Sequence, residues 1–153
     1  MLKDRLVKEF DEEMSATRRM LERVPDGQFS WRPHERASTL GKLANHVASI
    51  PGAAALFLRR SGPKPPQAES TADLLAFFDR NVQDCREQLA SMSDERLEGN
   101  MQVLPGVEKP VWEILRGRGL MNHLIHHRGQ LSLYLRMLGE KVPGVYGPSA
   151  DEK

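Results

Sequence analysis

The chain has 153 residues, of which 39% are hydrophobic and 28% are charged, and its formal net charge is +1. This length suits a single domain over residues 1–153, and the composition is too apolar for a disordered chain. The near-zero net charge gives no electrostatic reason to expect nucleic acid as a partner. The single cysteine, Cys85, excludes an intrachain disulfide and is typical of a reducing cytoplasm. Without a signal-peptide pattern or an apolar run of about 18 residues, we expect a cytoplasmic protein with no membrane contact.

Apolar residues recur every three or four positions in the first part of the chain and predict two amphipathic helices. The first helix is predicted over residues 2–24, with charged residues on its other faces. The second is predicted over residues 40–58, and either Ser38 or Thr39 can cap its N-terminus. Pro51 lies inside this second helix, where it removes one backbone hydrogen bond, so the sequence predicts a kink.

The middle of the chain contains a linker, a third helix and a polar stretch. Residues 61–70 are rich in proline and predict a linker that is longer than a tight hairpin. Thr71 is the predicted cap of the third helix, whose apolar positions continue to Leu89. Residues 91–110 are polar and rich in turn-forming residues, so we expect a loop there, with one short strand at Asn100–Leu104.

The fourth predicted helix begins near Val111 and ends at Gly139, a residue type that often terminates helices. It contains Gly117, Gly119 and Gly129, each of which costs about 1 kcal/mol relative to alanine inside a helix. These glycines indicate a close helix approach or room for a ligand. Four long helical segments with almost no strand signal predict an all-α protein, a four-helix bundle followed by an irregular tail.

Three of the five histidines lie in the fourth helix and suggest a metal site. His123 and His127 are spaced i, i+4, so both rings leave one face of the helix and can bind one ion. His126 points about 100° away from His127 and is a poor ligand for the same ion. His46, on the second helix, faces inward or nearly so. Three imidazoles around one ion would leave an open position, as in catalytic zinc sites, and imidazole also suits nickel, copper and iron.

Other candidate site residues have competing interpretations. Arg128, Arg36 and Trp31 are candidates for holding an anionic part of a substrate. Arg128 can instead pair with a carboxylate of a neighbouring helix, and Trp31 can close the end of the bundle. A histidine pair on an apolar helix is more often part of a hydrogen-bonded core than a metal site. Cys85 is predicted to be a small core residue and not a reactive thiol.

Three segments are informative together: LGKLANH at residues 40–46, NHLIHHRGQ at 122–130 and YLRMLG at 134–139. Through them the chain resembles the DinB-like family, which includes bacillithiol transferases and related thiol-dependent enzymes, and the resemblance covers essentially the whole chain. It implies an up-down-down-up bundle with a long crossover between helices 2 and 3, and a homodimer. It also implies a divalent metal, nickel or zinc first and iron or manganese as alternatives, with His46, His123 and His127 as the ligands.

Three functions follow from this resemblance together with the histidine pattern. The first is a metal-dependent S-transferase, in which a low-molecular-weight thiol co-substrate is held as thiolate and attacks a small electrophile. The second is a hydrolase that uses metal-activated water. The third is a non-enzymatic, stress-related dimeric module whose ion braces the bundle. The family name refers to DNA damage, but the sequence has no basic stripe or base-stacking aromatic array.

Overall fold

The computed structural model describes residues 1–59 and 67–152, which are mostly helical as predicted. In chain order the elements are α1 Leu2–Leu21, α2 Leu40–Arg59, α3 Thr71–Ser91, α4 Asp94–Glu98, β1 Asn100–Leu104, β2 Val107–Pro110, α5 Val111–Arg116 and α6 Met121–Met137. None of the helices in the described part of the chain is long and apolar enough to cross a membrane.

The four long helices surround one hydrophobic core. Helix α2 packs against α3 and α6, and α1 packs against the same two helices. Fully buried side chains come from each of them, including Phe10 in α1, Leu40 in α2, Phe78 in α3 and Leu124 in α6. Because α2 and α6 are neighbours, side chains that face each other across this pair can form one site.

Two of the predicted helix boundaries differ from those in the structure. Helix α1 ends at Leu21, earlier than the predicted residue 24. Thr39 caps α2, since its hydroxyl oxygen accepts a hydrogen bond of 3.2 Å from the backbone amide of Lys42. The predicted cap Thr71 is wrong for α3: Ser70 accepts the hydrogen bond from the Asp73 amide, and Thr71 is the first helical residue.

Residues 91–110 form more than the predicted loop. The predicted strand Asn100–Leu104 is present as β1, but it pairs with an antiparallel partner, β2, that the sequence did not predict. The turn between them contains Gly106 with a φ of +75°, a conformation that favours glycine. The short helix α4 precedes the hairpin. The residues of this stretch therefore form a helix and a hairpin, although few of them are apolar.

The predicted continuous fourth helix is wrong, because residues 117–120 separate α5 from α6. Gly117 leaves the helical conformation with φ −86° and ψ −127°. The Gly119 amide donates a hydrogen bond of 2.9 Å to the carbonyl of Ile114, and a Cβ at Gly119 would lie only 2.8 Å from that oxygen. Two of the three glycines are therefore explained by a helix break.

Helix α2 continues through Pro51, and the kink predicted there stays a prediction. Next to it, the side-chain amide of Asn81 donates a 2.9 Å hydrogen bond to the carbonyl of Ala48. Most of the predicted linker, residues 61–66, lies outside the described residues. Its end is attached to α2, because the Asn45 side chain exchanges two hydrogen bonds with the backbone of Ala68.

Candidate metal centre and adjoining cavity

The structure brings together the three histidines selected from the sequence. We name His46, His123 and His127 the histidine cluster. One nitrogen can be chosen from each ring such that the three nitrogens lie within 4.8 Å of one another. The Nε2 atoms of His46 and His123 are 3.1 Å apart. The ring centres of His46 and His127 are separated by 4.4 Å. The i, i+4 pair on α6 and the single residue on α2 therefore converge on one point.

The chemistry of these nitrogen donors fits a divalent cation. Gln130 Oε1 lies 2.8 Å from His127 Nδ1, so this nitrogen carries the proton and donates it to the amide oxygen. Nε2 of the same ring is then the nitrogen left with a lone pair to accept a hydrogen bond or bind an ion. A backbone hydrogen bond with Arg118 holds the ring of His123. This contact is supplied by the irregular segment between α5 and α6.

The electrostatic surroundings of His123 disfavour the protonated form of its ring. Burial lowers the pKa of the His123 ring most, and the neighbouring His127, His126 and Arg118 lower it further. The hydrogen bond with the Arg118 backbone opposes this shift. Because a metal ion binds the neutral form of imidazole, the lowered pKa favours ligation over protonation.

A cavity of about 640 Å³ opens beside the cluster and gives a small molecule access to it. His46 and His127 form part of its wall. The other lining residues described come from the connector before α2, from α2 itself and from more distant segments: Ala37, Ser38, Lys42, Leu43, Asn45, Ser49, Gln67, Phe77, Gln130 and Tyr134. The wall is mixed in character, with hydroxyls, amides and one ammonium beside aromatic and aliphatic groups. Such a volume is in the range of small-molecule sites.

The sequence profile of the DinB family matches residues 1–153. The chain belongs to the DinB family. It is 26% identical to the uncharacterized protein YrdA of Bacillus subtilis (strain 168), over 97% of this chain and 90% of that protein. It is 22% identical to the uncharacterized protein YjoA of the same organism, over 89% and 90% of the two chains. These relatives support family membership, and their names assign no activity.

Solved structures show the same DinB fold. The crystal structure of a DinB-like protein from Bacillus cereus ATCC 10987 has a TM-score of 0.78 and 25% identity, covering 92% of this chain and 95% of that one. The DinB-like YjoA structure from Bacillus subtilis has a TM-score of 0.73 and 17% identity, covering 97% and 99%. At that identity YjoA is informative for the fold alone.

Arg128 of this DinB-family protein is not placed with the histidines. Its side chain is only 3% exposed and forms an ion pair of 2.7 Å with Glu13. It also donates hydrogen bonds to Thr17 Oγ1 at 3.1 Å and to the Tyr146 hydroxyl at 2.7 Å. We name these four residues the arginine cluster. The alternative interpretation, in which Arg128 pairs with a carboxylate of a neighbouring helix, describes its observed contacts.

Trp31 and His126 lie next to the site without belonging to the described ligand set. The indole of Trp31 packs edge-on against Tyr134, with ring centres 5.6 Å apart, and so supports a wall of the cavity from behind. The Tyr134 hydroxyl donates to the carbonyl of Ser38 at 3.2 Å. His126 is exposed, and its ring centre lies 4.8 Å from that of His127.

Sequence reasoning missed several residues of the cavity wall. Lys42 precedes His46 by four residues, and the same i, i+4 argument that paired His123 with His127 would have found it. Gln67 and Phe77 carried no such signal, because they reach the cavity only when α3 and the end of the linker pack against α2.

Proposed function

We propose that this DinB-family protein is a metal-dependent S-transferase, which joins a small thiol to a small electrophile. His46, His123 and His127 hold a divalent ion, nickel or zinc first, with iron or manganese as alternatives. The observation that carries the proposal is the convergence of three imidazole nitrogens at the edge of an open cavity. Three protein ligands that leave one position open are the pattern of catalytic zinc sites, whereas structural sites are usually closed by four.

The charge balance of the site supports an anionic ligand in the open position. The candidate ligand set found in the described residues contains three imidazoles, which bind a metal ion in their uncharged form, and no carboxylate. Two positive charges would therefore remain uncompensated in a half-buried site, which is costly unless an anion approaches. When bound, the ion would stabilise a thiolate at neutral pH and so raise the fraction of the nucleophilic form.

The residues of the chain supply orientation and access. Gln130 holds His127 with its Nε2 toward the ion position, and the Arg118 backbone orients His123. The cavity beside them holds the thiol and the electrophile close together, which lowers the entropic part of the barrier. Tyr134 and Phe77 offer apolar surface in that wall for the carbon skeleton of a substrate.

Hydrolysis by metal-activated water is the less supported reaction. A hydrolase of this kind commonly uses a nearby carboxylate as general base. The described residues that line the cavity include no aspartate or glutamate. Thiol transfer would have no such requirement, because the ion would lower the pKa of the thiol and its proton would pass to solvent.

The test uses protein loaded with nickel or zinc and a model alkylating electrophile, with bacillithiol, mycothiol or glutathione as the thiol. We expect one thiol to give product faster with the loaded protein than with the same concentration of free ion. His127→Ala should lose this activity, and the matched variant His126→Ala should keep it. Rates equal to those of the free ion with all three thiols would contradict the transferase proposal. Turnover of an ester without thiol would instead support the hydrolase.

The same proposal includes the assembly, topology and location implied by the resemblance: a homodimer, an up-down-down-up order with a long crossover between α2 and α3, and a cytoplasmic protein without nucleic-acid or membrane partners. Light scattering on the purified protein tests the dimer directly. A monomeric mass at micromolar concentration would remove that part of the proposal and leave the metal site untouched.

A further inference from the structure

The cavity beside the histidine cluster carries a net positive charge before any metal binds. Its only charged residue among the described lining is Lys42, and no carboxylate shares the wall. Within residues 1–59 and 67–152, no acidic oxygen lies within ion-pair distance of the Lys42 ammonium. Most other cations near α6 are already paired. Arg128, for example, is bound to Glu13 inside the arginine cluster.

The position of Lys42 relative to His46 sets the size of a ligand that can touch both. The two residues are four apart on α2 and therefore lie on one face, with Cβ atoms about 6 Å apart. Both line the same cavity. The flexible lysine stem adds several ångströms of reach. A molecule with a sulfur at the ion and an anionic group two or three carbons away spans this distance.

We propose that the cavity takes a small thiol that carries a carboxylate, and that Lys42 binds this carboxylate while the sulfur occupies the ion. The inference rests on the proposed function and adds the chemical class of the co-substrate. A single ammonium matches the single negative charge of a carboxylate, whose oxygens accept its N–H donors. Lys42 is then a specificity-determining residue that selects anionic thiols over neutral ones.

The rest of the wall supports this orientation. Ser49 donates its hydroxyl to the carbonyl of His46 at 2.8 Å, so its oxygen is already used as a donor within α2. Asn45 uses its amide on Gly41 and Ala68. These two polar residues therefore shape the wall, while the ammonium of Lys42 keeps its donors for a ligand.

The experiment compares two thiols of matched length, 3-mercaptopropionate and 3-mercapto-1-propanol, on cobalt-loaded protein. The absorbance band of the cobalt–thiolate bond reports the dissociation constant of each. We expect the wild type to prefer the carboxylate thiol about fivefold, the upper range for a partly exposed ion pair. Lys42→Met should bind both thiols equally, and Lys42→Glu should prefer the alcohol. Lys8→Met, which changes an exposed lysine on α1 outside this cavity, should retain the wild-type preference.

The outcomes separate this inference from the proposed function. If both thiols give the band with equal affinity in the wild type, Lys42 selects nothing and only the inference is overturned. The same holds if Lys42→Met keeps the preference. If neither thiol gives the band although cobalt is bound, the thiol role itself fails. Acetylation of metal-free protein then tests the carboxylate site. Slower acetylation of Lys42 in the presence of propionate, with no change at Lys8, would support the site. Acetylation of Lys42 at the same rate with and without propionate would overturn it.

Discussion

The histidine cluster and the arginine cluster contain consecutive residues of α6, yet the two clusters differ in the charged groups that they bring together. His127 contacts His46 of α2 at the wall of an open cavity, whereas Arg128 faces α1 and the C-terminal tail. Consecutive helical residues point about 100° apart, so one helix supplies both regions. The arginine cluster joins one buried cation to a carboxylate and two hydroxyls. The histidine cluster gathers three nitrogens with no cation among them.

This difference indicates which of the two regions binds a ligand. The described residues contain no buried side-chain nitrogen or oxygen without a hydrogen-bond partner, so the arginine cluster needs nothing further. The histidine cluster differs in its position, because the Nε2 atoms of His46 and His123 lie 3.1 Å apart beside an open cavity, where an ion could bind among the three rings. A polar network buried among the helices stabilises the fold, whereas a group of histidines at a cavity is a candidate site.

The largest expected effect is on metal content. Replacing His127 by Ala leaves two nitrogens, and we expect the purified variant to retain no ion after dialysis, measured by elemental analysis. The metal-free variant should unfold within about 1 kcal/mol of the metal-free wild type, because the ring is half-buried and α6 keeps its other contacts. His126→Ala is the control and should bind metal normally. Full metal occupancy in His127→Ala would remove it from the ligand set.

The arginine cluster should show the reverse behaviour. Arg128→Met removes the cation from Glu13, whose side chain is only 12% exposed, and we expect the free energy of unfolding to fall by about 3 kcal/mol. Chemical denaturation of metal-free protein measures this. The folded fraction should still bind one ion. Arg86→Met, which breaks the exposed pair with Asp11, is the control and should change stability much less. A comparable loss in both variants would show that burial is not what makes Arg128 important.

Local sequence signals predicted the helices and the histidine cluster well. Apolar periodicity found all four long helices, because each buries one face in the shared core. The spacing of His123 and His127 was sufficient to place two rings together. His46 was selected from its inward position on the second helix, and the family resemblance then implied the same residue as the third ligand.

The failures have a common physical cause. Tertiary contacts decided them, and periodicity does not record such contacts. Gly119 ends up against the Ile114 carbonyl, and this close approach breaks a segment whose apolar pattern continues without interruption. For Arg128 the sequence left two roles open, and the choice between them depended on Glu13, a residue 115 positions away that α1 brings alongside α6. The missed strand β2 has only four residues, and the first three of them are exposed, so it shows no alternating apolar pattern to detect.

A smaller effect is expected from the hydrogen bond that orients His127. Gln130→Ala should lower metal affinity by about 10- to 100-fold, the usual cost of losing a residue that positions a ligand. Competition with a chelator of known affinity measures this change. Gln130→Glu keeps an acceptor oxygen and should retain most of the affinity. Gln83→Ala removes a glutamine from the exposed surface of α3 and is the control. An unchanged affinity in Gln130→Ala would mean that packing alone orients the ring.

The smallest expected effect is on the reactivity of the buried Cys85 thiol. It provides a third measurement that distinguishes the histidine cluster from the arginine cluster. Burial, aided by Asp84, raises the pKa of Cys85 to about 12. A thiol-specific disulfide reagent at pH 8 should therefore label the folded protein only when the chain opens. Arg128→Met should accelerate labelling in proportion to its lost stability, and His127→Ala should not. Equal acceleration by both would show that the histidine cluster also supports the core.

The same thiol gives a pH dependence whose sign is fixed. Because the pKa of Cys85 is raised in the folded state, its contribution to stability is complete below the unfolded value of about 8.5. That contribution is lost as the pH rises toward about 12, where the folded thiol also ionises. As the pH rises between these limits, the free energy of unfolding should therefore fall less for Cys85→Ala than for the wild type. Denaturation at each pH measures this difference. Parallel curves for the two proteins would mean that the folded thiol ionises normally, and labelling at pH 8 would then no longer report opening of the core.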